Sequence, residues 1–187
     1  MEKGKIIVLS GASSVGKSEI RKKLMEDPDL KLFYSISITT RPRKEHEVDG
    51  VDYYFVDHKS FANAIRNKEL LEYTEFNGYY YGTPIKTVEL LVNIGKNVLI
   101  ETEAQGVGQI KLLEKDAIAF FIMPASFEDL EDQIRERYKD DIASIKNRLA
   151  KAKVEMELAP LFRNCIDNQD NEKAYQKIKE IILNEHS

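Results

Sequence analysis

The residues Gly11-Ala12-Ser13-Ser14-Val15-Gly16-Lys17-Ser18 have the types and the spacing to hold a nucleotide polyphosphate. They fit G-x-x-x-x-G-K-[ST], a pattern in which each fixed position has a physical task. Gly11 and Gly16 permit backbone angles and close approaches that a Cβ would block, so successive N–H groups of the loop can turn inward around phosphate oxygens. A helix beginning at the end of the loop adds its positive pole. The Lys17 ammonium would bridge the β- and γ-phosphates of ATP, and the Ser18 hydroxyl would complete the coordination of a Mg²⁺ ion. A second concentration of chemistry lies in Ser35-Ile36-Ser37-Ile38-Thr39-Thr40-Arg41-Pro42-Arg43-Lys44. Alternation predicts an extended strand with Ser35, Ser37 and Thr39 on one face, leading into three cations, a donor set suited to an anionic group. A third group, Glu101-Thr102-Glu103, follows the apolar run Val98-Leu99-Ile100. Carboxylates at the end of a buried strand stand where open parallel sheets put their ligand chemistry.

The elements needed to position these groups are those of an α/β protein. Ile6-Ile7-Val8-Leu9 runs directly into the glycine loop, giving strand, loop and helix; that helix, over 19–26, faces Ile20 and Leu24 inward and stops in the Asp27-Pro28-Asp29 turn. The segment 30–40 is β-rich. A polar loop over 45–50 leads to a short aromatic strand over 51–56 and a helix over about 60–68. The runs 69–76 and 79–83 flank Asn77-Gly78, the strongest short hairpin signal available. The section from Ser35 to Thr83 is therefore predicted to be a small, mostly antiparallel lobe inserted between the first and second α/β crossovers. A helix over 85–94 carries Val88, Leu90, Leu91 and Ile94 and is closed by Gly95; a buried strand over 97–100, a helix over about 105–113 and an apolar strand over 117–123 follow. Ser126, with Asp129 at N3, caps a long charged helical stretch running to about Leu158, which includes Arg135, Arg137, Lys139, Asp140, Asp141 and Arg148. A strand over 164–168 and a helix over 172–184 close the chain.

Composition bounds the rest. The 187 residues suit one domain, and 28 Lys+Arg against 32 Asp+Glu give a net charge of −4, which excludes an overall basic field for nucleic-acid polymers. A local basic pocket for a small anion remains compatible with that balance. The one cysteine, Cys165, excludes an intramolecular disulfide and a zinc-binding Cys cluster, and is expected to be a small buried apolar residue. His46, His58 and His186 have no metal-ligand spacing and receive no role. No apolar leader precedes the first strand, and no stretch approaches the roughly eighteen apolar residues of a spanning helix. The expected setting is cytoplasmic, without a membrane partner.

Taken together, Gly11 to Ser18, Ser37-Ile38-Thr39-Thr40-Arg41, Glu47-Val48-Asp49-Gly50-Val51-Asp52-Tyr53-Tyr54-Phe55, Glu72, Tyr80-Tyr81-Gly82-Thr83 and Gln105-Gly106 resemble the guanylate kinase family in order and spacing, over about residues 5–182. The resemblance implies a single domain with the P-loop nucleoside monophosphate kinase fold: a parallel core sheet flanked by helices (about 1–34, 84–125 and 149–187), a small mostly-β GMP-binding lobe (about 35–83) and a helical lid (about 126–148). It implies ATP-dependent phosphorylation of GMP with Mg²⁺, leaving dGMP tolerance and the choice between monomer and homodimer open. Residue by residue, Ser37, Arg41, Tyr53 and Tyr81 match positions that hold the GMP phosphate, a dianion suited to fixed hydroxyls and a planar guanidinium. Glu72 and Thr83 match the guanine-reading positions, and Glu103 stands where the family has an aspartate on the same base. Guanine presents N1–H and N2–H₂ donors on one edge, so an acceptor-only carboxylate is a fitting reader. Arg137 and Arg148 match lid arginines that close over the transferring phosphoryl group, completing with Lys17 and Arg41 the expected catalytic set. Asn168 matches an asparagine near the ATP base.

The chain departs from the family pattern at four places. Ser14 replaces a glycine in the middle of the loop. Lys44 stands for a second phosphate-binding arginine, with Arg43 one position earlier. Glu103 is one methylene longer than the usual aspartate, and Gln133 occupies a lid position where arginine is common, with Arg135 as the neighbouring substitute. Two rival readings are a catalytically inactive guanylate-kinase-like binding module and a kinase for a different phosphorylated small molecule. Lys17, Ser18 and the lid arginines argue against the first, Glu72 with Glu103 against the second.

Overall fold

A computed structural model describes residues 3–139 and 141–185; Asp140 and His186 lie outside the described residues. In chain order the elements are β1 (Ile6–Gly11), α1 (Lys17–Glu26), β2 (Leu32–Tyr34), β3 (Ile38–Thr39), β4 (Tyr54–Phe55), α2 (His58–Arg66), β5 (Leu70–Phe76), β6 (Tyr79–Pro84), α3 (Ile85–Asn93), β7 (Asn97–Glu101), α4 (Ala104–Leu113), β8 (Ile118–Met123), α5 (Phe127–Arg137), α6 (Ile142–Leu158), β9 (Asn164–Asp167) and α7 (Asn171–Asn184). The strands β1, β7 and β8 are near-continuous apolar runs because helices cover both of their faces. Ile7, Leu9 and Phe120 pack with Ile20 of α1 and Ile178 of α7 on one side, and Val8, Val98 and Ile100 with Val107 and Ile110 of α4 on the other. Ile20 and Leu24, one helical turn apart and fully buried, each contribute about 1.5–3 kcal/mol of apolar burial.

These strands form a parallel sheet in the order β2-β7-β1-β8-β9. Because β7 and β8 lie on opposite sides of β1, the crevice beyond the carboxyl end of β1 is a topological switch point, which is where open sheets accommodate ligands. The glycine loop and Glu101-Thr102-Glu103 both open there. The second sheet runs β4-β3-β6-β5, parallel only between β3 and β4, so the inserted lobe is mostly antiparallel as expected. Asn77 (φ 52°) and Gly78 (φ 77°) both adopt left-handed backbone, which closes the β5–β6 hairpin tightly. The outer edge of β5 is covered by Gln109 of α4. Its amide donates to the Tyr73 carbonyl (2.7 Å) and accepts from the Tyr73 N–H (3.1 Å), replacing a missing strand.

Some local expectations fail. The β-rich segment over 30–40 is divided between the sheets: Leu32–Tyr34 joins the core, Ile38–Thr39 joins the lobe, and Ser35–Ser37 crosses between them. Ser35, Ser37 and Thr39 therefore share no single strand. The aromatic strand over 51–56 shrinks to Tyr54–Phe55. The charged stretch to Leu158 is two helices, because Asp141 restarts the chain as an N-cap accepting from the Ser144 N–H (2.8 Å). Cys165 is exposed rather than buried. It sits on the edge strand β9 beside the fully buried Ile166, and strand alternation turns the two side chains to opposite faces.

Candidate active site

The loop between β1 and α1 has the backbone of a phosphate cradle. A Cβ at Gly11 (φ 136°) would stand 2.6 Å from the Ile122 carbonyl oxygen, and one at Gly16 (φ 92°) 2.5 Å from Asn168 Nδ2, so both positions require glycine. Ser14 adopts φ 69° without that freedom, at a cost on the order of 1 kcal/mol. Since α1 begins at Lys17, its free N–H groups and positive pole face the loop. The Lys17 ammonium crosses the loop and donates to the carbonyls of Ala12 (2.8 Å) and Gly11 (2.5 Å). Burial lowers its pKa, while Glu101, Glu155 and Glu103 pull it back up. Arg148 of α6 donates to the Ser13 hydroxyl (2.9 Å), bringing one expected arginine to the loop. Asn168 donates to the Val15 carbonyl (2.8 Å) and so braces the loop from β9; its Oδ1 is buried without a partner.

The loop forms one wall of a cleft of about 950 Å³. A larger cavity of about 1390 Å³ between α4 and α6 contains none of the loop residues, so the chemistry and not the volume identifies the site. At one end of the cleft stand Ser37, Arg41, Lys44, Tyr53 and Tyr81. The Arg41 guanidinium is held in a fork by Glu47 (2.9 and 2.7 Å) and lies 5.4 Å from the Tyr53 ring centroid. Arg41 in turn holds the Glu47 carboxyl at a pKa of about 2. Burial pushes the Tyr53 phenol up to about 12, which keeps its hydroxyl a donor. Arg43 turns away to donate to the Glu47 carbonyl (2.9 Å), and Lys44, not Arg43, joins Arg41 on the cleft wall.

At the other end Glu72, 3% exposed, faces Thr83 across the β5–β6 pair. A register shift between Leu70 and Glu72 lets both Leu71 and Glu72 point inward, which simple alternation would forbid. Thr83 donates to Glu72 Oε1 (2.6 Å) and Thr102 to Oε2 (2.8 Å). Burial raises the Glu72 pKa and the two hydroxyls oppose the rise. Glu103 also reaches the cleft, where its carboxylate is paired with Lys151 of α6.

Arg137 is the expected site residue that stands apart. It ends α5 exposed to solvent, its guanidinium 5.5 Å from the ring of its own neighbour Tyr138. Arg135 pairs with Glu131 one turn back, so neither it nor the exposed Gln133 supplies a cleft cation. Sequence reasoning assigned no role to the Glu47, Thr102 and Glu155 side chains, because the contacts that recruit them form only on folding: with Arg41 across a loop for Glu47, with Glu72 of the lobe for Thr102, and beside Lys17 and Lys151 for Glu155. It placed Glu101 at the ligand-binding end of the sheet without giving it a role of its own. Glu101 and Ser18 share the cleft wall, and among the described residues no group of three or more His, Cys, Asp or Glu side chains could enclose a metal. That donor set fits Mg²⁺, which keeps waters and phosphate oxygens as most of its ligands.

Residues 3–185 match the sequence profile described as guanylate kinase. The chain belongs to the guanylate kinase family. A guanylate kinase of Mesoplasma florum is 44% identical over 183 residues, covering 98% of this chain and 62% of that protein, and one of Bacillus cereus is 42% identical over 184 residues, covering 98% and 90%. The chain thus spans less than two thirds of the Mesoplasma florum relative. The crystal structure of guanylate kinase from Anaplasma phagocytophilum superposes with a TM-score of 0.80 at 30% identity, covering 98% of this chain and 87% of the other. The SH3-kinase fragment of tight junction protein 3 shares the fold alone, with a TM-score of 0.53 at 14% identity over 97% of this chain and 57% of that one. The guanylate kinase fold expected from the motifs is therefore the one observed. No helix among the described residues is long and apolar enough to cross a membrane.

Proposed function

We propose that this guanylate kinase family member transfers the γ-phosphoryl group of ATP to GMP, releasing ADP and GDP. The observation that carries the reading is Glu72, a buried carboxylate with hydroxyls on both oxygens, opening on the same cleft as the phosphate loop. An acceptor of this kind complements the two donors of the guanine edge and mismatches adenine, which presents an acceptor at N1. Arg41, Tyr53, Tyr81, Ser37 and Lys44 would then receive the GMP phosphate, and the loop N–H groups with Lys17 the ATP phosphates. A GMP phosphate oxygen attacks the γ-phosphorus in line, and the bond to the bridging oxygen of ADP breaks. The chain's contribution is to align the two nucleotides and neutralise the moving charge. Mg²⁺ held near Ser18 and Glu101 would supply further charge neutralisation. A coupled ADP assay over GMP, dGMP, AMP, UMP, dTMP and sugar phosphates tests the reading. GMP is expected to lead AMP by at least about tenfold, a gap of about 1.4 kcal/mol in transition-state binding. Lys17→Ala is expected to lose more than nine tenths of the turnover with unchanged circular dichroism; retention of more would contradict the role given to the loop.

A further inference from the structure

We infer that Thr102 is a positioning residue for base recognition: with Thr83 it clamps the Glu72 carboxylate so that the incoming base meets hydrogen-bond acceptors only. The inference rests on the reading of Glu72 as the group that meets the base. Each carboxylate oxygen accepts from one hydroxyl, Oε1 from Thr83 (2.6 Å) and Oε2 from Thr102 (2.8 Å). One donor per oxygen fixes the carboxylate plane and leaves accepting lone pairs on both oxygens. The two threonines come from different parts of the fold. Thr83 is the cross-strand neighbour of Glu72 within the lobe, whereas Thr102 follows β7 and donates its own N–H to the Leu9 carbonyl of β1 (3.1 Å). A lobe carboxylate is thereby referenced to the strand that ends in the phosphate loop.

Gly106 indicates that this approach is built into the fold. A glycine inside a helix is unfavourable, yet a Cβ at Gly106 of α4 would stand 2.4 Å from Thr102 Oγ1 and 2.5 Å from Glu72 Oε2. Any side chain there would force the pair apart. The clamp also bears on the choice of purine. Burial and Glu103, at the start of α4, favour the protonated acid, while Thr83 and Thr102 favour the anion. Other charged or titratable groups on this cleft include Lys17 of α1, Lys151 and Glu155 of α6, Arg148 beside the loop, Glu101 at the end of β7, and Arg41 with Tyr81 on the lobe. Without the Thr102 hydroxyl the balance moves toward the acid, whose O–H can donate to adenine N1 while its other oxygen accepts from the adenine amino group.

Thr102→Val removes the hydroxyl at nearly constant volume and Thr102→Ser retains it. Thr102→Val is expected to lower kcat/KM for GMP about 5- to 30-fold, chiefly through KM, a smaller loss than the roughly 10- to 150-fold that removing a charged partner of the base itself would bring. The ratio of AMP to GMP use should rise several-fold, the acid limb of the GMP pH profile should move to higher pH, and the ATP KM should stay within about twofold. Thr102→Ser should restore all of these. If Thr102→Val leaves GMP KM and purine ratio unchanged while Glu72→Gln loses GMP use, the clamp is wrong and the reading of Glu72 stands. Equal losses in the Val and Ser variants would also overturn the clamp. If Glu72→Gln itself leaves GMP kinetics unchanged, the reading of Glu72 fails and the clamp fails with it.

Discussion

Glu72 and Arg137 stand at opposite extremes of preparation. Glu72 is 3% exposed, with both oxygens engaged by hydroxyls and its strand pinned to α4 through Gln109. Arg137 is exposed at the end of a helix, with the ring of the next residue beside its guanidinium. Arg148, on the far side of the α5–α6 break, already touches Ser13 of the loop. The contrast teaches that Glu72 is seated by the fold before any ligand arrives, whereas Arg137 lies off the cleft; under the proposed function its charge would reach the transferring group only by movement of α5. Such a movement would delay full activation until both nucleotides are present and water is excluded. A fully assembled cation cluster at rest would instead favour hydrolysis of ATP.

The comparison can be broken at either end. The largest effect is expected for Arg137→Ala. Loss of a charge that acts only during transfer should lower kcat by at least about 100-fold while calorimetric GMP affinity stays unchanged. Retained kcat would mean that Arg137 remains a solvated helix charge. Glu72→Gln should lower kcat/KM for GMP by roughly 10- to 150-fold, with ATP KM unaltered, because a guanine donor loses its charged partner. A change within about twofold would remove Glu72 from base recognition. The smallest effect sharpens the comparison through stability. Glu155 is buried on α6 between Lys17 and Lys151, and burial raises its pKa to about 7 from 4.5. The folded protein therefore holds this proton more tightly than the unfolded chain, so the destabilisation is absent below about pH 4.5, grows between 4.5 and 7, and is complete above. Glu155→Gln should raise stability at pH 8 relative to its effect at pH 4 by about 1–3 kcal/mol in denaturant unfolding. An equal effect at both pH values would show that Glu155 ionises as an ordinary surface carboxylate.

What the sequence made legible follows from how local each signal is. The glycine loop is contiguous, so its motif, the strand before it and the helix after it could be read together. Asn77-Gly78 and the Ser126 cap were legible for the same reason. Glu72 could be named from the family resemblance, but the Thr102 hydroxyl that completes its seat comes from 30 positions away, beyond the end of a core strand. The register shift at Leu70–Glu72 leaves no sequence mark, since alternation gives one of those two buried neighbours to solvent. Glu47 reads as one more charge in a polar loop until the chain folds back and presents it to Arg41. Cys165 was misjudged because a four-residue strand at a sheet edge has one wet face, and composition alone does not say which residue takes it.

The most direct test of this account is calorimetric titration of the protein with GMP and with AMP, in the absence of ATP, for the wild type, Glu72→Gln and Arg137→Ala. A base seat assembled before transfer predicts saturable GMP binding that exceeds AMP binding by about tenfold or more. It also predicts the same GMP affinity in Arg137→Ala and a loss of GMP affinity in Glu72→Gln. Equal binding of GMP and AMP by the wild type, or an equal loss of GMP binding in both variants, would contradict it.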